Sequence, residues 1–171
     1  MTHCIPGLDL CEAFYHETVR PVLNQHFSGL AHAAGRLDGS SEALGFDTPR
    51  SMDHDWGPAG LTLVLAEDEI EEYRQPVIKA LADHLPRVSH GFRTDFAEPN
   101  VEGGSRVMRS VADGPVTHNV SVTTISRVFL DYLDVDPLAA IREVDWLLIP
   151  QQRLCTVAVG RIFHDGLDTV T

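Results

Sequence analysis

Residues 51–58 read SMDHDWGP, and the predicted fold is built around this stretch. Asp53 to Trp56 have the composition of a short strand, and side chains on a strand alternate between its two faces. Asp53 and Asp55 would therefore project from one side, with His54 on the other. Two adjacent carboxylates repel each other unless a divalent cation that prefers oxygen ligands lies between them. The spacing predicts a site for Mg²⁺ or Mn²⁺ at Asp53 and Asp55.

The same two aspartates also fit a simpler structure. In an exposed turn beside Gly57 and Pro58, their side chains would accept hydrogen bonds from nearby backbone amides, as aspartates in turns often do. An Asp-x-Asp pattern alone does not separate the two structures. The choice between them depends on what precedes the pair.

A phosphate-binding turn is predicted upstream of the aspartates. Gly39-Ser40-Ser41 follows a predicted strand and opens a predicted helical turn, so its backbone N–H groups are available to a phosphate. Arg50 precedes Asp53 by three residues and fits either a contact to a triphosphate or an ordinary surface position. A phosphate turn followed by a metal-binding carboxylate pair supplies what phosphoryl-type transfer requires of a protein.

The rest of the chain predicts a mixed α/β or α+β domain. Helical spacing of apolar residues, β-type alternation and turn residues mark the elements. In chain order they are helix 8–27 with a kink or break at Pro21, strand 31–37, strand 53–56 continued by 61–65, a helix from about residue 66 that contains Pro76, a hairpin of 106–111 with 116–125, and short helices over 126–171.

Charge and composition restrict the partners. The 171 residues carry a formal charge of −12, and Lys79 is the only lysine, so a long nucleic acid is an unlikely partner. A small phosphorylated ligand is compatible with this charge if divalent metal ions accompany it. There is no apolar run of membrane-spanning length and no basic, apolar leader, and the three cysteines have no metal-type spacing. These features predict a cytoplasmic protein without a membrane partner.

Two sequence blocks carry a resemblance to known proteins. The turn at Gly39-Ser40-Ser41 and the Asp-x-Asp strand resemble the signature of the polymerase-β-like nucleotidyltransferase superfamily. More narrowly, residues 41–48 and 51–58 resemble a bacterial family called domain of unknown function 4037. Segments 5–8, 145–147 and 163–165 fit the same family, so the resemblance extends over nearly the whole chain.

The resemblance implies a nucleotidyltransferase fold, with a mixed central sheet flanked by helices. It also implies that Ser41 or Ser40 helps to hold the nucleotide phosphates and that Asp53 and Asp55 bind magnesium. The implied reaction is attack of an acceptor hydroxyl on the α-phosphate of a nucleoside triphosphate, with release of pyrophosphate between two metal ions. Relatives continue into a helical C-terminal region, so the 171 residues are expected to form a single domain with that region absent or truncated.

Two hypotheses about activity follow from one departure from the family pattern. Relatives have a third carboxylate on a later strand, whereas the matching stretch 117–122 has Ser121 at that position. Asp95 or Glu98, from a neighbouring segment, is the candidate to replace it. The first hypothesis is an active enzyme that modifies a small hydroxylated acceptor or a protein side chain. The second is a catalytically degenerate module that binds a nucleotide or a partner protein.

A third hypothesis is a histidine-containing metallohydrolase. It would combine His118, His164 and Asp165 with the pair at Asp53 and Asp55. The histidines and aspartates are far apart in sequence and form no helical ligand motif. This hypothesis therefore requires the fold to bring the two groups together.

Overall fold

A computed structural model describes residues 6–37, 57–96 and 114–168. The helical elements in chain order are α1 (Gly7–Phe14), a π-helical segment (Tyr15–Val19), α2 (Arg20–His26), a 3-10 turn (Gly57–Gly60), α3 (Ile70–His84), α4 (Ile125–Leu133), α5 (Glu143–Leu148) and α6 (Gln151–Ala158). The strands are β1 (His32–Arg36), β2 (Thr62–Leu65), β3 (Val88–Ser89), β4 (Phe92–Arg93), β5 (Ser121–Thr123) and β6 (Arg161–Asp165).

Four of these strands form one mixed sheet in the order β5-β2-β1-β6. Strand β1 pairs antiparallel with both β2 and β6, and β5 pairs parallel with β2. Strands β3 and β4 form a separate small hairpin. The predicted α+β class with a mixed sheet is therefore confirmed.

The sheet is packed on both faces because its central strands carry buried residues at successive positions. Ala34, Leu63 and Val122 are paired across three strands and belong to one core with the first helices and α3. We call this side the first face. The opposite side, the second face, carries Ala33 and Val64, which pack with residues of α4. A sheet covered on both sides needs apolar residues at successive positions, as β2 has.

Proline shapes the N-terminal helix where the sequence predicts an interruption. Helix α1 ends at Phe14, five residues adopt π-helical geometry, and α2 then carries Pro21 in its first turn. A proline inside a regular helix loses one backbone hydrogen bond and clashes with the preceding turn. The wider π turn immediately before Pro21 absorbs that conflict, so the helical path continues to His26.

From Ile125 to residue 168 the described chain forms three helices and one strand. Short helices were predicted over 126–171, and that prediction is wrong for β6. Every side chain of β6 is only half-buried, so the strand lacks the alternation of burial that marks a strand in sequence. Gly160 and Gly166 flank it and were the available boundary signal.

Other boundaries differ from the predicted ones by a few residues. Helix α3 begins at Ile70 rather than near residue 66, and it does contain Pro76. The stretch 116–120 is irregular, and only Ser121–Thr123 form the strand β5. The predicted partner of that strand, 106–111, lies outside the described residues. No helix within the described ranges is long and apolar enough to cross a membrane.

Candidate functional site

Most of the predicted site residues lie outside the part of the chain that the structure describes. They all fall in segment 38–56, and they are Gly39, Ser40, Ser41, Arg50, Asp53 and Asp55. Ser121, the position that matches the third carboxylate of the family, is described. The described residues on either side of segment 38–56 show at which end of the sheet the chain leaves the described structure and re-enters it.

The described residues that flank segment 38–56 lie at one end of the sheet. The segment leaves β1 after Leu37, and the chain re-enters the described structure at Gly57, five residues before β2. The 3-10 turn packs on α1, and its last residue, Gly60, lies against the side chain of Arg36. The described residues that flank the segment therefore lie beside the end of β1 and the start of β2.

Ser121 lies at the same end of the sheet, as the first residue of the outer strand β5. Gly35 of β1 is paired with Thr62 of β2, and Thr62 is paired with Ser121 of β5. Residues paired in this way project from the same face of a sheet. Gly35, Thr62 and Ser121 thus form one row on the second face, and we call it the polar row. Ser121 is exposed and Thr62 is half-buried, so two hydroxyl groups without a carboxylate stand on this row.

A buried positive charge lies close to this end of the sheet. Arg36 is the last residue of β1 and has only 1% of its surface exposed. A Cβ atom placed on Gly60 would lie 1.4 Å from Nη1 of Arg36, which shows how closely the guanidinium covers this glycine. An ionised group so removed from water is stable only among acceptors or anions. Arg36 follows Gly35 in β1 and therefore projects from the first face, opposite the polar row, where it places a positive charge inside the fold against the 3-10 turn.

Asp95 has a structural role rather than that of a third ligand on the polar row. Its side chain is 1% exposed, and its Oδ1 accepts a hydrogen bond of 2.9 Å from the backbone N–H of Thr117. The Nη1 of Arg87 lies 3.2 Å from Oδ2 of the same carboxylate. Thr117 precedes Ser121 by four residues, so Asp95 fixes the approach to β5 and not its polar row. Glu98 lies outside the described residues.

The histidines of the metallohydrolase hypothesis lie at opposite edges of the sheet. His118 precedes β5, whereas His164 and Asp165 belong to β6, the strand at the other edge. His118 Nε2 donates to the backbone oxygen of Ile78 at 3.0 Å, and its Nδ1 accepts from the N–H of Val120 at 3.2 Å. Both ring nitrogens are thus engaged by the backbone. Within ranges 6–37, 57–96 and 114–168, no three His, Cys, Asp or Glu side chains are arranged to hold a metal ion. The described structure gives this hypothesis no support.

Arg74 is a site residue that the sequence pattern did not reveal. It lines a cavity of about 410 Å³ together with His118 and Ser121, and a second cavity of about 360 Å³ with Thr123. It therefore contributes a positive charge to two cavities that include residues of β5, and the second cavity also contains Glu67, Glu71 and Arg127. The available signal was its spacing, because Arg74 lies four residues from both Ile70 and Ile78 and so shares their helix face.

An apolar cavity covers part of the second face. It has a volume of about 490 Å³ and lies between the sheet, α4 and α6. Leu37 and Ile162 line it from the sheet, and Val128, Phe129 and Val157 line it from the helices. It has no charged side chain in its lining, so its walls offer contacts to an apolar group only.

Comparisons with models of protein families, with curated proteins and with solved structures find no match to this chain.

Proposed function

We propose that the chain is a nucleotidyltransferase-like protein of the nucleotidyltransferase fold. It would use Mg²⁺ to transfer a nucleotidyl group from a nucleoside triphosphate to a small hydroxylated acceptor or a protein side chain. The observation that carries the proposal is a shared end of the sheet. The described residues that flank segment 38–56, which contains the predicted phosphate turn and aspartate pair, follow the end of β1 and precede the start of β2, and β5 starts with Ser121 at that same end.

Three features of this end of the sheet and of the whole chain support a ligand made of a metal ion and phosphate groups. Asp53, Asp55 and the hydroxyl of Ser121 are all oxygen donors, and hard cations such as Mg²⁺ prefer such donors. The buried guanidinium of Arg36 lies near the same strand ends on the other face of the sheet, and its positive charge favours anions there over that distance. The net charge of −12 makes a metal-free triphosphate a poor ligand, because the protein as a whole repels it.

The chemistry divides between the metal and the chain. Bound Mg²⁺ supplies charge neutralisation at the phosphates. Gly39, Ser40 and Ser41 would orient the phosphates through backbone N–H groups. The acceptor oxygen forms a bond to the α-phosphorus, the bond from that phosphorus to the bridging oxygen breaks, and pyrophosphate leaves with the electron pair. The acceptor proton passes to an ionised carboxylate or to solvent.

One observation favours a second candidate function, the binding of a nucleotide or a partner protein without catalysis. On the polar row, Ser121 offers a neutral hydroxyl where the family has a carboxylate. A hydroxyl neither compensates the charge of a second metal ion nor removes a proton from an acceptor at neutral pH. A site of this composition retains phosphate and one metal ion but lacks the group that activates the acceptor.

Asp53→Asn and Asp55→Asn are expected to weaken Mg²⁺-dependent nucleotide binding by about tenfold or more each, because an amide leaves the metal charge uncompensated. Titration calorimetry with ATP, GTP, CTP and UTP, with and without Mg²⁺, measures this effect. Asp131→Asn is the matched control, since Asp131 is exposed and pairs with Arg127 on the surface of α4. Nucleotide affinity that is the same in all three variants would exclude the metal-bridged site.

Ser121→Asp is expected to raise Mg²⁺ affinity and to produce or increase pyrophosphate release in the presence of hydroxylated acceptors. The change puts a carboxylate on the polar row, where it can complete the metal site. Thr123→Asp is the control, because Thr123 projects from the same face of β5 one pair further along. Equal gains from the two substitutions would show that added negative charge, and not the position of Ser121, causes the effect.

A further inference from the structure

Three imidazole rings from three different elements surround one buried phenol. His16 belongs to the π-helical segment, His32 opens β1, and His164 lies in β6. The ring of Tyr15 lies with its centroid 4.9 Å from that of His16 and 6.0 Å from those of His32 and His164. The rings of His32 and His164 are 4.9 Å apart. We call these four residues the histidine cluster.

Hydrogen bonds fix the neutral form of His32. Its Nδ1 lies 3.1 Å from the backbone oxygen of Leu30, and its Nε2 lies 2.9 Å from the hydroxyl of Tyr15. A carbonyl only accepts, so Nδ1 carries the hydrogen and Nε2 accepts the hydrogen of the hydroxyl. A second proton on His32 would turn Nε2 into a donor, and the hydroxyl of Tyr15 would lose its acceptor. Tyr15 is 0% exposed, so no solvent replaces that acceptor.

The cluster also joins β6 to the rest of the sheet. Within the described chain, β6 pairs with β1 alone. The backbone N–H of Gly166, just after β6, donates to the backbone oxygen of His32 at 2.9 Å. Phe163 of β6 stacks on Tyr15 with a centroid distance of 6.5 Å. A change in the charge of His32 or His164 therefore acts directly on the attachment of β6.

We propose that the histidine cluster is an acid-sensitive latch, which holds β6 against β1 when its imidazoles are neutral and releases it when they are protonated. Arg20 opposes protonation by its positive charge, and His16 adds to that opposition once it is charged. Asp165 is the acidic group that favours a charged His164. Tyr15 contributes no charge, because burial raises its pKa to about 12.

The direction of the pH effect follows from the buried state. Burial lowers the pKa of His32, and burial followed by the charge of Arg20 lowers the pKa of His164. The open form therefore binds more protons than the closed form below about pH 6.5, the ordinary pKa of histidine. The latch is fully closed above that pH and loses stability as the pH falls through the lowered pKa values. Each proton taken up shifts the equilibrium by up to about tenfold per pH unit.

General charge repulsion works in the opposite direction in this pH range. The protein carries −12 at pH 7 and has an isoelectric point near 5.0, so acidification brings its net charge towards zero. Self-repulsion of the folded protein therefore falls as the pH is lowered. A local opening between these pH values requires a specific titrating site, and its position along the chain identifies that site.

Amide hydrogen exchange of the full chain, read by mass spectrometry at about pH 7.5 and about pH 5.5 after correction for intrinsic exchange, tests the latch. We expect peptides of β6 to lose about tenfold or more of their protection at the lower pH, while those of β2 keep theirs. His164→Gln removes the titrating charge near the surface and is expected to abolish most of this difference. His32→Gln is the second variant.

His84→Gln is the matched control. His84 also lies beside another histidine, with its ring centroid 4.1 Å from that of His26, but this pair lies on exposed helix ends. The control is expected to keep the full acid response of β6. Equal protection of β6 at both pH values, or a response that persists in His164→Gln and His32→Gln, would overturn the proposal. The test needs no nucleotide, so its outcome is independent of the proposed transfer activity.

Discussion

Gly60→Ala is expected to lower the free energy of unfolding by about 3 kcal/mol, a large effect for the addition of one methyl group. The added Cβ would lie 1.4, 1.7 and 2.2 Å from Nη1, Cζ and Nε of Arg36. These three atoms span the guanidinium, so the whole group must move. Arg36 is 1% exposed, so its guanidinium has to repack inside the fold. Urea denaturation of the purified variant measures the loss.

Gly91→Ala is a control with the same chemical change. A Cβ on Gly91 meets nothing within 4 Å, so only its positive φ of 84° opposes alanine. That strain costs about 1–2 kcal/mol. In an Arg36→Met background, Gly60→Ala is expected to cost much less than in the natural chain, because the forked guanidinium is gone. Natural stability in Gly60→Ala itself would contradict the packing of Arg36 over the 3-10 turn.

Leu63→Ala is expected to destabilise the protein by about 3 kcal/mol. Leu63 is 0% exposed and stands between Ala34 and Val122 in the middle of the first face. Its removal leaves a cavity under the helices that the rigid sheet does not fill. The measurement is the urea concentration at the midpoint of unfolding, which should fall while the dependence of the free energy of unfolding on urea concentration stays the same.

Leu147→Ala is the matched control for this substitution. Leu147 lies in α5 with 83% of its side chain exposed, so its truncation is expected to change stability by less than about 0.5 kcal/mol. A similar loss in the two variants would mean that the first face is not the main core. A loss at Leu63 alone supports the order of the central strands.

Sequence patterns predicted those elements whose burial alternates or repeats regularly. The apolar spacing of the first helix and of α3 corresponds to one buried side, and the apolar run 61–65 lies in a sheet that is covered on both faces. Strand β6 was missed because it is an edge strand whose side chains are all half-buried. Its pairing with β1 joins residues 130 positions apart, as in Ala34 with His164, and local patterns contain no information at that range.

The same reason limits what the sequence predicts about sites. The aspartate pair and the Gly-Ser turn are short motifs, so they were recognised from spacing alone and remain predictions. The row of Gly35, Thr62 and Ser121 depends on strand pairing, and the cover of Gly60 by Arg36 depends on packing between two separate elements. His32 and His164 carry no motif at all, since only the fold brings their rings together.

The position of β6 in the chain has a consequence for biosynthesis. Because β1 acquires this neighbour only after some 130 further residues have been made, at about 5–20 residues per second the ribosome needs roughly 10 seconds to deliver the missing strand. During that interval one side of β1 has unpaired backbone N–H and C=O groups, with which any extended peptide nearby can pair. The nascent domain thus passes through a period in which its own sheet does not yet protect β1 from misassembly.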